Sequence, residues 1–267
     1  MTTPARLDAR GLTIGYDRRI ISEDLSVAIP DGSFSVIVGA NASGKSTLLR
    51  ALARLLTPTA GEVRLDDRPL RDYHPKELAR AVGLLPQTSI APEGITVVDL
   101  IARGRYPHQS FLRQWSADDE AAVTEAMDAT GTTDLAGRLV AELSGGQRQR
   151  VWIAMSLAQQ TPILLLDEPT TFLDIAHQIE LMELLTDLNE QGRTLVAVLH
   201  DLNQAARYGS HLIAVKDGRV VAEGAPVDIV TAEMVEDVFG LRCVVTPDPV
   251  SGTPTVSALG RERAARA

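Results

Sequence analysis

Residues 34–47 read Phe34-Ser35-Val36-Ile37-Val38-Gly39-Ala40-Asn41-Ala42-Ser43-Gly44-Lys45-Ser46-Thr47. The apolar run comes first, the segment after it fits the pattern G-x-x-x-x-G-K-[ST], and helix-like sequence continues over 46–56. Glycines let the backbone turn its N–H groups towards phosphate oxygens, and the following helix directs its positive end at the same anion. The segment therefore predicts a phosphate-binding loop over residues 39–47, between a buried strand and a helix.

Two side chains of the phosphate-binding loop are candidates for direct chemistry. Lys45 is expected to reach the β- and γ-phosphates of a nucleotide, and Ser46 is expected to hold Mg²⁺. Ala40 and Ala42 stand where many such loops carry Pro and Gly. If Ala42 must adopt a positive φ, the strain is about 1 kcal/mol, which a loop supported by a strand and a helix can tolerate.

Other apolar runs predict the sheet around this loop. Residues 163–166, 195–199 and 212–215 are nearly continuous in apolar side chains and are separated by helix-like sequence. That pattern is typical of strands buried on both faces of a mainly parallel sheet. Residues 7–30 and 61–65 instead alternate, which predicts antiparallel strands with one buried face. The predicted fold class is α/β, with a mainly parallel core sheet and an N-terminal antiparallel β subdomain.

The middle of the chain predicts helices. Thr96 and Ser116 each lie three residues before a carboxylate, as in the capping box at the start of a helix. We therefore expect a helical subdomain over about 88–160, inserted into the α/β core. The nucleotide-binding domain is predicted over 5–245, followed by a C-terminal extension over 246–267.

Polar side chains follow the predicted buried strands. Asp167 and Glu168 end one strand, and His200 ends another. Ligands of parallel sheets bind outside the carboxyl ends of the strands, so these side chains are expected to face the phosphates. Asp167 suits Mg²⁺, Glu168 could polarise the attacking water, and His200 could contact the γ-phosphate. Gln87, which follows the apolar residues 82–85, could reach the metal or the water.

A second candidate anion site precedes helix-like sequence over 148–160. Ser144 is a suitable N-cap, and Gly145 and Gly146 leave the free N–H groups of the helix open. On these residues alone, a plain capped helix is an equally good interpretation.

Taken together, these motifs resemble the full set of an ATP-binding-cassette nucleotide-binding domain, whose P-loop core has this fold class. The set comprises, in order, residues 39–47, Gln87, Leu143-Ser144-Gly145-Gly146-Gln147, Asp167-Glu168, Asp174 and His200, and the resemblance covers roughly residues 7–240. It implies that Ser144, Gly145, Gly146 and Gln147 complete the ATP site of a second copy, so that two ATPs are buried between head-to-tail subunits. It also implies that adenine stacks on Tyr16 and that Asp174 lies in a loop crossing the dimer interface, although Tyr16 alone could be a core residue.

Three further segments narrow the resemblance to importers of ferric siderophores, with cobalamin and haem importers as near relatives. They are Gly104-Arg105-Tyr106-Pro107-His108, Leu173-Asp174-Ile175-Ala176-His177-Gln178, and Gly224-Ala225-Pro226 followed by Thr231 and Val238-Phe239-Gly240. The resemblance implies an ATPase that uses ATP and Mg²⁺ on the cytoplasmic side of the cell membrane. Its implied partners are membrane permease subunits, contacted near residues 87–111, and indirectly an extracytoplasmic binding protein.

Composition and charge argue against membrane-spanning, secreted, nucleic-acid-binding and disulfide-bonded proteins. No apolar run approaches the ~18 residues that span a bilayer, and the N-terminus carries no secretory pattern, so the chain is expected to stay in the cytoplasm. A net charge of -9 opposes binding to nucleic acid. The single cysteine, Cys243, cannot form an internal disulfide and is expected to be buried. The tail after residue 260 is expected to be solvated.

Three alternative classes differ in sequence features. A cassette ATPase of DNA repair or translation usually has long coiled-coil insertions or tandem cassettes. An exporter commonly fuses this domain to membrane helices. In a P-loop kinase or GTPase, residues 144–147 would only cap a helix.

Overall fold

A computed structural model describes residues 5–17, 19–87, 90–109 and 115–260. Its strands are β1 (Ala5–Tyr16), β2 (Arg19–Pro30), β3 (Phe34–Val38), β4 (Ala60–Leu65), β5 (Arg68–Pro69), β6 (Val82–Leu85), β7 (Ile163–Asp167), β8 (Thr194–Val198), β9 (His211–Lys216), β10 (Arg219–Gly224), β11 (Cys243–Pro247) and β12 (Pro254–Ala258). Its α-helices are α1 (Lys45–Leu52), α2 (Pro75–Ala81), α3 (Val97–Ala102), α4 (Ala117–Ala129), α5 (Gly145–Ala158), α6 (Ile175–Glu190), α7 (Leu202–Tyr208), α8 (Pro226–Ile229) and α9 (Ala232–Phe239). Short 3₁₀ segments cover Leu70–Asp72, Arg103–His108, Thr133–Leu135 and Val140–Glu142.

The core sheet has the strand order β10-β9-β3-β8-β7-β6. All neighbouring pairs are parallel except β10 with β9. Every residue of β3, β7 and β8 is buried, which explains why their sequences lack polar alternation. The predicted parallel sheet is confirmed, and it brings the carboxyl ends of these strands to one edge.

The N-terminal sheet is antiparallel, in the order β2-β1-β4-β5. Its alternating side chains bury one face, including Leu7, Leu12 and Ile14. That face packs on α1 and on one side of the core sheet in a shared hydrophobic cluster. Helix α1, which follows the phosphate-binding loop, is thereby packed between the two sheets.

The helices between β6 and β7 cover the opposite face of the core sheet and belong to a second hydrophobic cluster. Thr96 Oγ1 accepts the backbone N–H of Asp99 at the start of α3, and Ser116 forms a capping box with Asp119 at the start of α4. Both helix starts therefore agree with the sequence pattern. Within the described residues, none of the helices combines the length and apolar character needed to cross a bilayer.

Three boundaries differ from the sequence prediction. The helix predicted over 46–56 ends at Leu52, because Arg54 turns the chain with a φ of 57°. The helix predicted over 148–160 begins earlier, at Gly145, and ends at Ala158. The boundary placed after residue 245 falls inside β11, which pairs with β12 as a C-terminal hairpin. Cys243 is buried in this hairpin, as predicted, whereas the tail over 261–267 lies outside the described residues.

Candidate nucleotide site

The phosphate-binding loop follows β3 and leads into α1. Gly39, Ala42 and Gly44 have φ values of 152°, 63° and 104°, so Ala42 adopts the positive φ considered above. A Cβ atom on Gly39 would lie 2.1 Å from the carbonyl oxygen of Val215 on β9, too close for any side chain. Gly218, in the turn after β9, donates its N–H to the carbonyl of Ser43 over 2.9 Å. The curled loop is therefore held by close contacts with its neighbouring strand.

Lys45 is buried beneath this loop, with 5% of its surface exposed. Its Nζ donates to the carbonyl oxygens of Gly39 and Ala40, over 2.9 and 2.8 Å. Burial lowers the pKa of Lys45, while the nearby carboxylates of Glu168 and Asp167 act in the opposite direction. Ser43 Oγ is also buried and has no hydrogen-bond partner among the described residues. An ammonium group and an unpartnered hydroxyl in one loop fit a phosphate ligand.

Ser46 and Asp167 form the candidate metal position. Ser46 Oγ donates to Asp167 Oδ1 over 2.8 Å, across the interface between α1 and β7. Burial raises the pKa of Asp167, against the hydrogen bond from Ser46 and the charge of Arg50. Among the described residues, no cluster of three or more His, Cys, Asp or Glu side chains could hold a metal alone. A hydroxyl and one carboxylate fit Mg²⁺, which commonly takes few protein ligands together with substrate phosphates and water.

Glu168 follows β7 directly and lies at the centre of a polar cluster. His200 Nε2 lies 2.7 Å from Glu168 Oε1, and Gln87 Nε2 donates to Oε2 over 2.8 Å. The Glu168 backbone has a φ of 54°, and its N–H donates to the carbonyl of Val198 over 3.2 Å. Because strands β6, β7 and β8 end at the same edge, the structure brings together three residues that are far apart in sequence.

A pocket of about 220 Å³ connects the phosphate-binding loop with this cluster. It is lined by residues 41–47, Glu168 and His200, together with Arg19 and Ile21 at the start of β2. Arg19 and Ile21 are not among the site residues predicted from the sequence. The short connection after Tyr16 could have indicated them. In a tight hairpin, the first residues after the turn lie beside the last residues of the preceding strand, so residues just after the turn lie close to Tyr16.

Tyr16 lies at the end of β1 and keeps 42% of its surface exposed. It pairs with Arg19 across the hairpin, and its hydroxyl accepts a hydrogen bond from Arg50 of α1 over 3.0 Å. The alternative interpretation of Tyr16 as a core residue is therefore wrong. Tyr16 is therefore exposed at the end of β1, opposite Arg19, which lines the pocket.

Residues 144–147 lie elsewhere and do not line this pocket. Ser144 Oγ accepts the N–H of Gln147 over 3.2 Å, and Gln147 Oε1 accepts the N–H of Ser144 over 3.1 Å, which caps α5. Ser144 and Gly145 are exposed to solvent. A Cβ atom on Gly145 would lie 3.6 Å from that of Phe172, so this helix start adjoins the loop before α6 in the same chain.

Asp174 is the N-cap of α6, where Oδ1 accepts the N–H of His177 over 3.0 Å and lies 2.7 Å from its Nδ1. Hydrogen bonds from the His177 backbone and side chain lower the pKa of Asp174. Phe172 and Ile175 beside it are each 77% exposed. The predicted site residues thus lie in two regions of one chain: in or beside the phosphate pocket, and at an edge where Ser144, Gly145 and Asp174 are exposed to solvent.

A glycine-rich loop between a buried parallel strand and a helix, with two adjacent carboxylates at the carboxyl end of another strand of the same sheet, defines the P-loop ATPase class. The sequence model described as "ABC transporter" matches residues 22–171. The ferric enterobactin transport ATP-binding protein FepC of Escherichia coli (strain K12) is 59% identical over 258 residues, which covers 96% of this chain and 95% of the relative. The chain belongs to the ABC transporter family.

Solved structures agree with this assignment. An inward-facing metal-chelate type ABC transporter matches with a TM-score of 0.82 and 27% identity, covering 96% of this chain and 98% of the other. The dimeric bacterial ABC transporter cassette MJ0796 matches with a TM-score of 0.74 and 32% identity, covering 82% and 98%. The predictions of a P-loop α/β fold and of an ATP-binding-cassette ATPase are confirmed.

Proposed function

We propose that the chain binds MgATP in the phosphate pocket and hydrolyses it with Glu168 as the general base. The loop N–H groups and Lys45 would bind the β- and γ-phosphates, and Ser46 and Asp167, with Gln87, would hold Mg²⁺. That ion, when bound, neutralises phosphate charge. Glu168 would orient the attacking water and accept its proton, and His200 would contact the γ-phosphate. The cluster of Gln87, Glu168 and His200 at the mouth of the loop is the observation that carries this proposal.

A second copy of the chain would complete each site. Ser144, Gly145, Gly146 and Gln147 lie outside the phosphate pocket of their own chain, and their helix start is open to solvent. In a head-to-tail dimer these residues would close the site from the opposite side, with Asp174 at the interface and Tyr16 stacked on adenine. Contacts to ATP that exist only in the dimer would shift the equilibrium towards the dimer, and hydrolysis would release it.

The dimer would drive import of ferric siderophores through separate membrane permease subunits. The similarity to FepC, which is named for ferric enterobactin transport, supports this cargo. The permease would contact the region near residues 87–111 and receive cargo from an extracytoplasmic binding protein. The chain would then work as a peripheral protein on the cytoplasmic side of the cell membrane. Cobalamin or haem is the alternative cargo.

Uptake of radiolabelled ferric siderophore in a strain lacking this chain tests the proposal. We expect uptake to be lost and to return with the parent chain, but not with Lys45→Ala or Glu168→Gln at equal expression. Uptake of cobalamin and haem is measured in the same strains. Normal siderophore uptake in the deletion strain, with loss of one of the other two, would assign the chain to that cargo instead.

A further inference from the structure

The C-terminal hairpin, formed by β11 and β12, packs beside α7 and is hydrogen-bonded to it through the side chain of Asn203. Asn203 Oδ1 accepts the backbone N–H of Val256 over 2.7 Å, and Asn203 Nδ2 donates to the carbonyl of the same residue over 3.3 Å. The side-chain amide thus pairs with β12 as a neighbouring strand would. Asn203 is exposed, and its side chain makes these two hydrogen bonds to β12.

Helix α7 is also connected to the nucleotide site. It begins directly after His200, and its N-cap Asp201 accepts the N–H groups of Asn203 and Gln204 over 2.8 and 3.1 Å. Gln204, which follows Asn203 in α7, donates from Nε2 to Gln178 Oε1 of α6 over 2.9 Å. A shift of α7 would therefore move both His200 and this contact with α6.

Gln178 extends the connection to the loop between Glu168 and Asp174. Its Nε2 donates to the carbonyl of Leu173 over 3.0 Å and approaches that of Thr170 at 3.5 Å. The loop begins at Glu168, whose φ is positive, and ends at the N-cap of α6. Amide hydrogen bonds, joined through the backbone between Asn203 and Gln204, thus connect the hairpin to the loop that follows the proposed general base.

We propose that the C-terminal hairpin is a brace for ATP hydrolysis, and that Asn203, Gln204 and Gln178 are positioning residues that transmit its restraint. The brace fixes α7, and with it His200, relative to the loop after Glu168. It acts on orientation rather than on nucleotide affinity, because none of the three amide side chains lines the phosphate pocket. This inference rests on the proposed function, since it requires Glu168 and His200 to take part in hydrolysis.

The test measures kcat and KM for MgATP, and the melting temperature, of the purified full-length chain. Asn203→Ala is expected to lower kcat about five- to tenfold with KM changed less than about twofold, because a misplaced catalytic group slows chemistry without weakening binding. Gln178→Ala should act alike. The double variant should be no slower than the slower single variant, because both substitutions break one connection.

Asn189→Ala is the matched control. Asn189 also lies on α6 and donates from Nδ2 to two backbone carbonyls, those of Gly32 and Arg193, over 2.9 and 2.7 Å, but at the far end of the helix. We expect Asn189→Ala to lower the melting temperature at least as much as Asn203→Ala does, while its kcat stays within about twofold of the parent value.

A parent-like kcat in folded Asn203→Ala and Gln178→Ala would overturn the brace. So would a loss of kcat in Asn189→Ala equal to that in Asn203→Ala, since it would reflect stability alone. If Asn203→Ala does not fold, Gln178→Ala and Gln204→Ala decide by the same criterion. Glu168→Gln is assayed in parallel: parent-like hydrolysis there would overturn the proposed function together with the brace. An inactive Glu168→Gln with parent-like brace variants would overturn the brace only.

Discussion

His200 Nε2 lies 2.7 Å from Glu168 Oε1, and Gln87 Nε2 donates to the other carboxylate oxygen over 2.8 Å. Both carboxylate oxygens of Glu168 are therefore engaged by side chains from the ends of neighbouring strands. This arrangement holds the carboxylate at the mouth of the phosphate-binding loop, where a general base for water attack on the γ-phosphate is required.

Glu168→Gln should lower the rate of ATP hydrolysis by about 10² to 10⁴, because the amide keeps the shape of the side chain but cannot accept a proton. ATP affinity should stay within a few-fold of the parent, since Lys45 and the loop N–H groups are unchanged. Steady-state phosphate release and a direct ATP titration measure the two quantities. His200→Ala serves as the comparison and should retain more activity. Hydrolysis by Glu168→Gln at the parent rate would refute the assignment of the base.

Asp167→Asn should stabilise the nucleotide-free chain at neutral pH. Burial raises the pKa of Asp167, so its ionised form is disfavoured in the folded state. Protonation relieves this cost: the favourable contribution is complete below the unfolded pKa of 3.8 and is lost as pH rises through the raised folded pKa. The asparagine keeps an acceptor for Ser46 without the charge.

We expect the Asp167→Asn variant to melt higher than the parent at neutral pH, and this gain should shrink as the pH is lowered towards the unfolded pKa of 3.8. Differential scanning calorimetry without Mg²⁺ or nucleotide measures both trends. Asp67→Asn, at a side chain that is 90% exposed, is the control and should change little. A gain that grows on acidification would contradict the prediction.

Arg105→Ala should destabilise the helical subdomain strongly. Arg105 Nε donates to Asp119 Oδ1 over 2.9 Å, and Arg105 Nη1 donates to the carbonyl of Ala158 over 2.8 Å, with both members of the ion pair 4% exposed. Burial alone would raise the pKa of Asp119, but hydrogen bonds from Arg105 and Ser116 outweigh it and keep that pKa below its usual value. Removing the guanidinium leaves a buried carboxylate without its partner, a change that costs about 3 to 5 kcal/mol.

Urea unfolding at neutral pH measures the loss for Arg105→Ala. The control is Arg6→Ala, which breaks the partly exposed ion pair between Arg6 and Asp66 and should cost less than about 1 kcal/mol. The Asp119 contribution to stability exists above its unfolded pKa and disappears as pH falls through its lowered folded pKa, so the difference between parent and variant should narrow in acid. Equal losses in the two variants would contradict the prediction.

The buried strands were predictable because a strand covered on both faces has no place for polar side chains, as in β7 and β8. The end of α1 at Leu52 could not be predicted from the sequence. Arg54 takes a positive φ there, and its guanidinium donates to the carbonyls of Leu70 and Tyr73, which lie well beyond the helix in sequence. Such a stop depends on tertiary contacts that helical periodicity does not encode.

In the candidate site, too, some residues could be predicted from local sequence and others could not. The glycine pattern and the strand ends identified the phosphate-binding loop, Glu168 and His200, because both signals are local. Arg19 lies in the pocket because of the register of the β1–β2 hairpin. The C-terminal hairpin is hydrogen-bonded by Asn203, which is distant in sequence from β12. Contacts between segments far apart in the chain, rather than composition, determine these features.

In the proposed dimer, one chain supplies the phosphate-binding loop and a second copy supplies Ser144 to the same ATP. Light scattering during size-exclusion chromatography of Glu168→Gln, with and without saturating MgATP, measures whether ATP holds two copies together. We predict a monomer without nucleotide, a dimer with MgATP, and a monomer in both conditions when Ser144→Arg is added. A Glu168→Gln chain that stays monomeric with bound MgATP, or a dimer that survives Ser144→Arg, would rule out a shared ATP site of this kind.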